Sequence, residues 1–265
     1  MRNKRIAVPG MAVLCLCAAA NAAHAANTYY IDQCMNYQTG GCWGWISTPE
    51  ETASLQATLQ LWGWTGSRYP DASAWAQDFV EQCSSTYGSG GLDGAYADSK
   101  GLVVFSGHGS QGELYFAYPH SGDCQFGFDA NGRLGSMSGA QAAIGMWLTC
   151  RAHENFAGFQ NQWLRQSLAF MGDIWLGAND AMNAVVDTKT VGSSPGLPNA
   201  IAWLQVMDSG TRHPIAVTMS NSSMADCWIV AGSAKMGDNV LNTPRGGGPS
   251  CNQGQPIYYW CAEYY

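Results

Sequence analysis

The sequence has few of the residues that metal and nucleotide sites usually require. Only 5 of its 265 residues are histidines, and charged residues make up 12% of the chain. No CxxC pair occurs, His153-Glu154 lacks the second histidine of an HExxH zinc motif, and no phosphate-binding loop of the form GxxxxGK(S/T) is present. We therefore expect neither a resident metal nor a cofactor.

Basic residues are also scarce, which argues against nucleic acid as a partner. The chain has 12 Lys and Arg against 19 Asp and Glu. Residues 1–25 have the pattern of a signal peptide, because Arg2, Lys4 and Arg5 precede an apolar run that ends in Ala-His-Ala. Removal of those three basic residues changes the net charge from −7 to −10. A phosphate backbone would repel such a chain.

Long apolar runs are absent after residue 25. None approaches the ~20 residues that a membrane-spanning helix needs. Together with the signal peptide, this predicts a soluble exported protein that is secreted or periplasmic. Nothing marks an interior break, so we expect one domain over residues 26–265.

Cysteine, in contrast, is plentiful, with 10 residues. Cys15 and Cys17 leave with the predicted signal peptide, and an even set of eight remains, which in an oxidising compartment predicts disulfides. Spacing does not determine the pairing, but Cys34 with Cys42 and Cys251 with Cys261 are close enough to close small loops. This predicts disulfide-bonded ends. The eight are Cys34, Cys42, Cys83, Cys124, Cys150, Cys227, Cys251 and Cys261.

Apolar strands alternate with helical stretches along the chain, a pattern typical of an α/β fold with a mostly parallel central sheet covered on both faces. The predicted strands are Leu102–Phe105, Ala143–Cys150, Asp173–Gly177, Pro214–Ser220 and Asp226–Gly232. Helices are predicted to begin at Ser47 or Thr48 and at Asp71, and to cover Gly158–Phe170, Asn179–Asp187 and Pro198–Met207. From Asn242 the composition predicts an irregular tail.

Two nucleophilic or basic side chains follow predicted strands. His108 lies between Gly107 and Gly109, three residues after Phe105, and Cys150 ends the next long apolar run. Functional groups in open α/β sheets collect at the carboxyl ends of strands, so these two side chains can be neighbours. A thiolate and an imidazole are what cysteine acyl transfer requires.

The stretch VVFSGHGSQGELYF, followed by a second apolar strand that ends in cysteine, resembles the caspase, legumain and gingipain superfamily of cysteine peptidases. The resemblance covers about residues 102–177 and implies a caspase-like αβα sandwich that cleaves a peptide or protein substrate. It implies that His108 is the catalytic histidine and Cys150 the nucleophile, with the backbone N–H groups of Gly109 and Cys150 holding the oxyanion. The 42 residues from His108 to Cys150 are comparable to the ~50 of caspases.

The chain is also similar to a group of exported bacterial proteins with this fold. The similarity lies in the later pattern of Trp163, Phe170, Gly172, Leu176 and Gly177. Membership of that group would say little about activity.

Alternatives stay open at this point. Cys150 could form a disulfide, for example with Cys227, and His153 could serve as the imidazole instead of His108. Thr149 and Ala152 differ from the residues usual around the cysteine of the peptidases, which favours a catalytically silent, disulfide-stabilised binding domain of the same fold. The tryptophan content, 11 residues, suggests a third and weaker alternative, a carbohydrate-binding module.

Overall fold

We describe the protein from a computed structural model. The residues that the structure describes are 27–80, 91–128, 134, 142–154, 164–189, 196–208, 212–220, 223–236 and 259–264. The predicted signal peptide and most of the predicted irregular tail lie outside them. Within the described residues, no helix is both long and apolar enough to cross a membrane.

A mostly parallel sheet forms the centre of the described part of the chain, in the strand order β2-β1-β3-β7-β8-β9-β10. The first five strands in this order, β2, β1, β3, β7 and β8, run parallel to one another. Strand β9 is antiparallel to both of its neighbours, β8 and β10. The mixed α/β class with a mostly parallel sheet is thus confirmed. The strands are β1 (Thr28–Gln33), β2 (Thr65–Pro70), β3 (Leu102–Ser106), β4 (His108–Ser110), β5 (Glu113–His120), β6 (Asp123–Gly127), β7 (Ile144–Leu148), β8 (Gln166–Phe170), β9 (Pro214–Ser220) and β10 (Tyr259–Tyr264).

One face of the sheet is covered by helices that contact one another in chain order. They are α1 (Ala53–Leu61), α2 (Asp180–Val186), α3 (Asn199–Met207) and α4 (Met224–Ser233). The opposite face, in its described part, carries the small antiparallel sheet β4-β5-β6 and short 3-10 turns after Pro70, where the sequence predicts a helix from Asp71. Phe79 and Phe116 pack there against Phe105 of β3, and Phe126 packs against Phe79.

The central strands are apolar on both faces because both faces are covered. Side chains alternate along a strand, so Ile31 and Val104 contact the helix layer whereas Val103 and Phe105 contact the opposite layer. All five residues of β3 and of β7 are buried. This continuous burial explains why these two strands could be predicted from their apolar runs.

The carboxyl ends of three adjacent strands lie level with one another. Gln33 of β1 pairs with Ser106 of β3, which in turn pairs with Leu148 of β7. The ladder continues one step further, because the Gly107 N–H donates to the Leu148 carbonyl at 3.2 Å. Whatever follows these strands is therefore brought to one edge of the sheet.

Several sequence predictions are confirmed and others are wrong. The strand Pro214–Ser220 and the helices over Asn179–Asp187 and Pro198–Met207 are confirmed within one residue at each end. The predicted strand Asp226–Gly232 is instead helix α4, because Ser223 caps it by accepting from the Asp226 N–H at 3.0 Å. Asp173–Gly177 has no regular secondary structure, although it was predicted to be a strand.

Other corrections concern predicted helices. The end of the predicted helix Gly158–Phe170 is strand β8, which pairs with β7 and β9 and is buried at all five residues. Asp71 does not cap a helix: its carboxylate accepts the backbone N–H groups of Met35 and Asn36, and only short 3-10 turns follow within the described residues. Helix α1 begins at Ala53, several residues after the predicted start at Ser47 or Thr48.

The disulfides join distant parts of the chain. The described pairs are Cys42–Cys124 and Cys227–Cys261, so neither Cys34–Cys42 nor Cys251–Cys261 forms. The first bond attaches the segment after β1 to β6, and the second attaches α4 to β10. With β1 at an interior position of the sheet, residues 27–45 are part of the same fold.

We predict that the double substitution Cys42→Ala and Cys124→Ala lowers the free energy of unfolding by about 2–4 kcal/mol, because the bond closes a loop with a sequence separation of 82. Urea denaturation of the variant and the wild type measures the difference. Cys34→Ala is the matched control, since Cys34 is a buried cysteine without a disulfide. An unfolding midpoint in the double variant equal to that of the wild type would contradict the prediction.

Candidate active site

A cavity of about 260 Å³ opens at the carboxyl ends of four strands that are adjacent in the sheet. Chain segments after β1, β3, β7 and β8 each contribute to its walls. Ligand sites of open α/β sheets are found at such strand ends, where the strand order reverses. The lining residues are 46–49 and Glu51 after β1, Gly107 and His108 after β3, Leu148 and Cys150 at the end of β7, and 173–176 after β8.

His108 is held in a defined orientation at this cavity. Its Nε2 lies 2.8 Å from the carbonyl oxygen of Ile46. A carbonyl oxygen only accepts, so Nε2 carries the hydrogen and the Nδ1 of the neutral ring keeps a free lone pair. The ring lies edge-to-face against Tyr37 and Trp45, and the His108 backbone N–H donates to the Tyr37 hydroxyl at 2.8 Å.

The glycines beside His108 are required by close packing. A Cβ atom on Gly107 would collide with the Tyr37 hydroxyl, and one on Gly109 would collide with the Thr149 side chain next to Cys150. The turn after β3 thus packs directly on the end of β7. Gly107, Gly109 and Gly112 also have the spacing GxGxxG, but a hairpin follows them instead of the helix that a dinucleotide site needs.

Cys150 is half-buried and lies outside the disulfides. The backbone N–H of Ile174 donates to its Sγ at 3.4 Å. Burial raises the pKa of the Cys150 thiol, and the carboxylate of Asp173 raises it further, whereas the Ile174 N–H and the Arg151 guanidinium act in the opposite direction. At rest the sulfur is therefore mostly protonated at neutral pH.

Arg151 does not face the cavity as a free cation. Its guanidinium binds the two carboxylate oxygens of Asp173 at 2.8 and 3.2 Å. The pair is exposed, so it adds little to stability. It does fix the start of the 173–176 wall beside Cys150.

The alternatives to this thiol and imidazole are less well placed. Cys227 is bonded to Cys261, so the alternative that it pairs with Cys150 is wrong. His153 is fully buried away from the cavity lining, and burial lowers its pKa to about 3, which keeps the ring neutral. Of the two histidines considered, only His108 lines the cavity with Cys150.

The sequence analysis missed Glu51, which lines the same cavity. Its buried carboxyl accepts a hydrogen bond from the Ser106 hydroxyl at 2.6 Å. Burial raises its pKa to about 7, although the Ser106 hydrogen bond lowers it. The sequence showed only a pair of acids near a helix start. In the structure Glu50 accepts the first N–H groups of α1, and its neighbour Glu51 is free to face the cavity.

The wall that carries Ile46 and Glu51 is ordered by contacts with the end of β1. The Thr48 hydroxyl donates to the Cys34 carbonyl at 2.6 Å, and the Gln33 side-chain amide donates to the Pro49 carbonyl at 3.0 Å. The Ile46 carbonyl that orients His108 could not have been found from sequence, because every residue has a carbonyl. Within the described residues, no three His, Cys, Asp or Glu side chains are grouped to hold a metal ion.

The fold and the cavity define the chain as a mixed α/β protein with a thiol and an imidazole at one edge of a mostly parallel sheet. The chain belongs to the family of the domain of unknown function DUF6345, whose model matches residues 44–221. No curated protein matches the chain. The matched range includes every residue that lines the cavity, but not β1 or β10.

We predict that Asp173→Asn makes Cys150 more reactive at neutral pH. The substitution removes a negative charge that raises the thiol pKa, so the thiolate fraction at pH 7.5 should increase. The rate of iodoacetamide alkylation, followed by mass spectrometry of the peptide that contains Cys150, measures this. Asp187→Asn, an exposed acid at the end of α2, is the matched control. Equal rates for wild type and Asp173→Asn would contradict the prediction.

We also predict that Glu51 makes stability depend on pH. The folded pKa of about 7 lies above the ordinary value of 4.5, so the folded state retains its proton longer than the unfolded state. Stability is then lost as pH rises from about 4.5 through 7, and Glu51→Gln should be more stable than wild type at pH 8 by on the order of 2 kcal/mol. Urea denaturation at pH 5 and pH 8 measures both proteins.

The control for this prediction is Glu154→Gln, which changes an exposed carboxyl that lines no part of the cavity. Its difference from wild type should be the same at both pH values. A Glu51→Gln variant whose difference from wild type also stays constant between pH 5 and pH 8 would show that Glu51 ionises normally.

Proposed function

We propose that the protein is an exported cysteine endopeptidase-like hydrolase of the caspase, legumain and gingipain type, with Cys150 as nucleophile and His108 as its acid and base. The observation that carries the proposal is that both side chains line one cavity at adjacent strand ends, with Cys150 outside the disulfides. The mostly parallel sheet and the position of His108 directly after β3 support the resemblance to this superfamily.

The proposed reaction uses groups that are already present. The thiol proton of Cys150 passes to the free Nδ1 of His108, and the thiolate attacks the peptide carbonyl. The backbone N–H groups of Gly109 and Cys150 stabilise the oxyanion. The imidazolium then gives its proton to the departing amine, which leaves a thioester on Cys150 that water hydrolyses with His108 as base.

The orientation of His108 suits this role. Because Nε2–H is bonded to the Ile46 carbonyl, that carbonyl also stabilises the ring when it becomes positively charged. Formation of an ion pair between thiolate and imidazolium would offset the burial that raises the pKa of Cys150. In this mechanism His108 therefore stabilises the thiolate by its positive charge and also transfers the proton.

We predict that Cys150→Ala abolishes cleavage of a broad peptide library and that His108→Ala lowers it by at least about 100-fold, since general acid–base catalysis contributes on that scale. Mass spectrometry of the library before and after incubation measures cleavage. Cys34→Ala, which removes a buried thiol that does not line the cavity, should keep wild-type activity. Circular dichroism checks that each variant is folded.

A folded Cys150→Ala variant that still cleaves peptides would contradict the proposal.

The second candidate function is that of a catalytically silent binding domain of the same fold. It is favoured by the raised pKa of Cys150 and by the ion pair of Arg151 with Asp173, because Arg151 is then not a free cation beside the sulfur. A wild-type protein that cleaves nothing in the library would favour this second candidate.

A further inference from the structure

A second depression lies beside the candidate active site and is not explained by the chemistry described above. It encloses about 590 Å³ and shares two walls with the cavity of Cys150, namely Ile46 and His108. Cys150 lines only the first space, whereas Trp45 and Tyr115 line only the second. His108 therefore stands between the thiol and a surface of aromatic rings.

The aromatic walls of this depression are fixed before any ligand binds. Trp45 stacks on Trp43 with ring centroids 4.6 Å apart and lies edge-to-face against Tyr115 at 5.0 Å. The indole N–H of Trp43 donates to the Cys124 carbonyl, and Cys42, the residue before it, is bonded to Cys124. Rings that are already ordered lose little conformational entropy when a ligand binds.

The absence of a side chain at Gly44 keeps the depression open, and Gly44 is one of its lining residues. A Cβ atom on Gly44 would meet nothing within 4 Å, so the space above this backbone is empty. A flat side chain can therefore reach the aromatic walls without displacing any part of the protein.

We propose that this depression binds the residues on the leaving-group side of a peptide substrate and prefers an aromatic side chain there. The inference rests on the proposed function, because it assigns His108 the transfer of a proton to the departing amine. The acyl half of the substrate is bonded to Cys150 at that moment, and the nitrogen that receives the proton must contact His108. The departing half then continues past His108, into the space that Trp45 and Tyr115 line.

The chemistry of the walls selects an aromatic side chain. Tryptophan and tyrosine rings interact with another ring in stacked or edge-to-face geometry, beyond the gain from apolar area. The Tyr115 hydroxyl already donates to the Glu113 carboxylate at 2.9 Å, so a ligand would contact the ring of Tyr115 more than its hydroxyl. We expect phenylalanine on the leaving-group side to raise kcat/KM about tenfold over alanine.

The test compares two peptides that differ only in the first two residues after the cleaved bond, Phe-Phe or Ala-Ala. The methyl ester of the same acyl half, which has no residue on the leaving-group side, is the third substrate. The wild type should prefer the Phe-Phe peptide about tenfold. In Trp45→Ala this preference should fall to about twofold or less, and the rate on the methyl ester measures separately any effect of the lost contact between Trp45 and His108.

A second variant fills the depression instead of removing a ring. Gly44→Leu places a side chain into the empty space, so it should slow cleavage of both peptides relative to the methyl ester. Trp228→Ala, which removes an exposed tryptophan from α4 that lines neither space, is the matched control and should keep the full preference. Equal rates of the wild type on both peptides, or an unchanged preference in Trp45→Ala, would overturn the proposal.

Failure of the proposed function is recognised separately, because the wild type would then turn over neither the peptides nor the methyl ester. The depression is in that case tested by ligand binding to the Cys150→Ala variant. The ligands are the tetrapeptides Phe-Phe-Ala-Ala and Ala-Ala-Ala-Ala and the sugar chitotetraose, and the change in tryptophan fluorescence measures their binding. Tighter binding of the Phe-Phe peptide, lost in Trp45→Ala, supports an aromatic peptide subsite. Binding of the sugar alone, or of no probe, overturns it.

Discussion

Parallel pairing in register between β1, β3 and β7 is the constraint on which the candidate site depends. Because Gln33, Ser106 and Leu148 lie side by side, the segments that follow three strands start at the same edge of the sheet. A shift of one residue in any of these pairings would turn each inward side chain to the other face and would bury or expose the wrong groups. Buried residues on both faces of β3 and β7 make such a shift very costly.

The edge is made rigid by contacts that reach across the turn after β3. The Tyr37 hydroxyl accepts the His108 backbone N–H and donates to the Tyr115 carbonyl, so one side chain connects the backbone of His108 to β5. Gly107 makes this possible, because any larger residue would occupy the position of that hydroxyl. Cys150 is fixed from the other side by the Ile174 N–H. Orientation of the two side chains therefore comes from backbone groups and from one tyrosine more than from charged partners.

Much of the fold could be predicted from sequence where strands are buried on both sides. The apolar runs of β3, β7 and β9 predict strands correctly, and those of β3 and β7 led directly to His108 and Cys150. Helix α4 was mistaken for a strand because Cys227, Trp228 and Ile229 form an apolar run without helical periodicity, although Ser223 and Asp226 carried the signal of a cap. Strand β8 was mistaken for the end of a helix for the opposite reason, because Phe159, Trp163, Leu164 and Leu168 have helical spacing in the sequence.

The rest of the site could not be predicted, since its parts are set by tertiary contacts. Glu51 is distinguished from Glu50 by its contacts: Glu50 accepts the N–H groups of Thr52 and Ala53 and pairs with Arg68, whereas Glu51 lines the cavity. No sequence pattern identifies the carbonyl of Ile46 or the irregular wall of residues 173–176 as parts of a site. The pairing of Cys42 with Cys124 spans 82 residues and cannot be derived from cysteine spacing.

That disulfide has a practical consequence for biochemistry on this protein. It anchors the segment that carries Trp43, Trp45 and the Ile46 carbonyl, and so it maintains the surroundings of His108. Thiol reagents such as dithiothreitol are commonly added to keep a nucleophilic cysteine reduced, and by thiol–disulfide exchange they also attack structural bonds. A reducing buffer thus protects the sulfur of Cys150, whereas a less reducing buffer preserves the Cys42–Cys124 bond and the geometry around His108. A redox titration with glutathione would define the interval in which both the thiol and the disulfide persist.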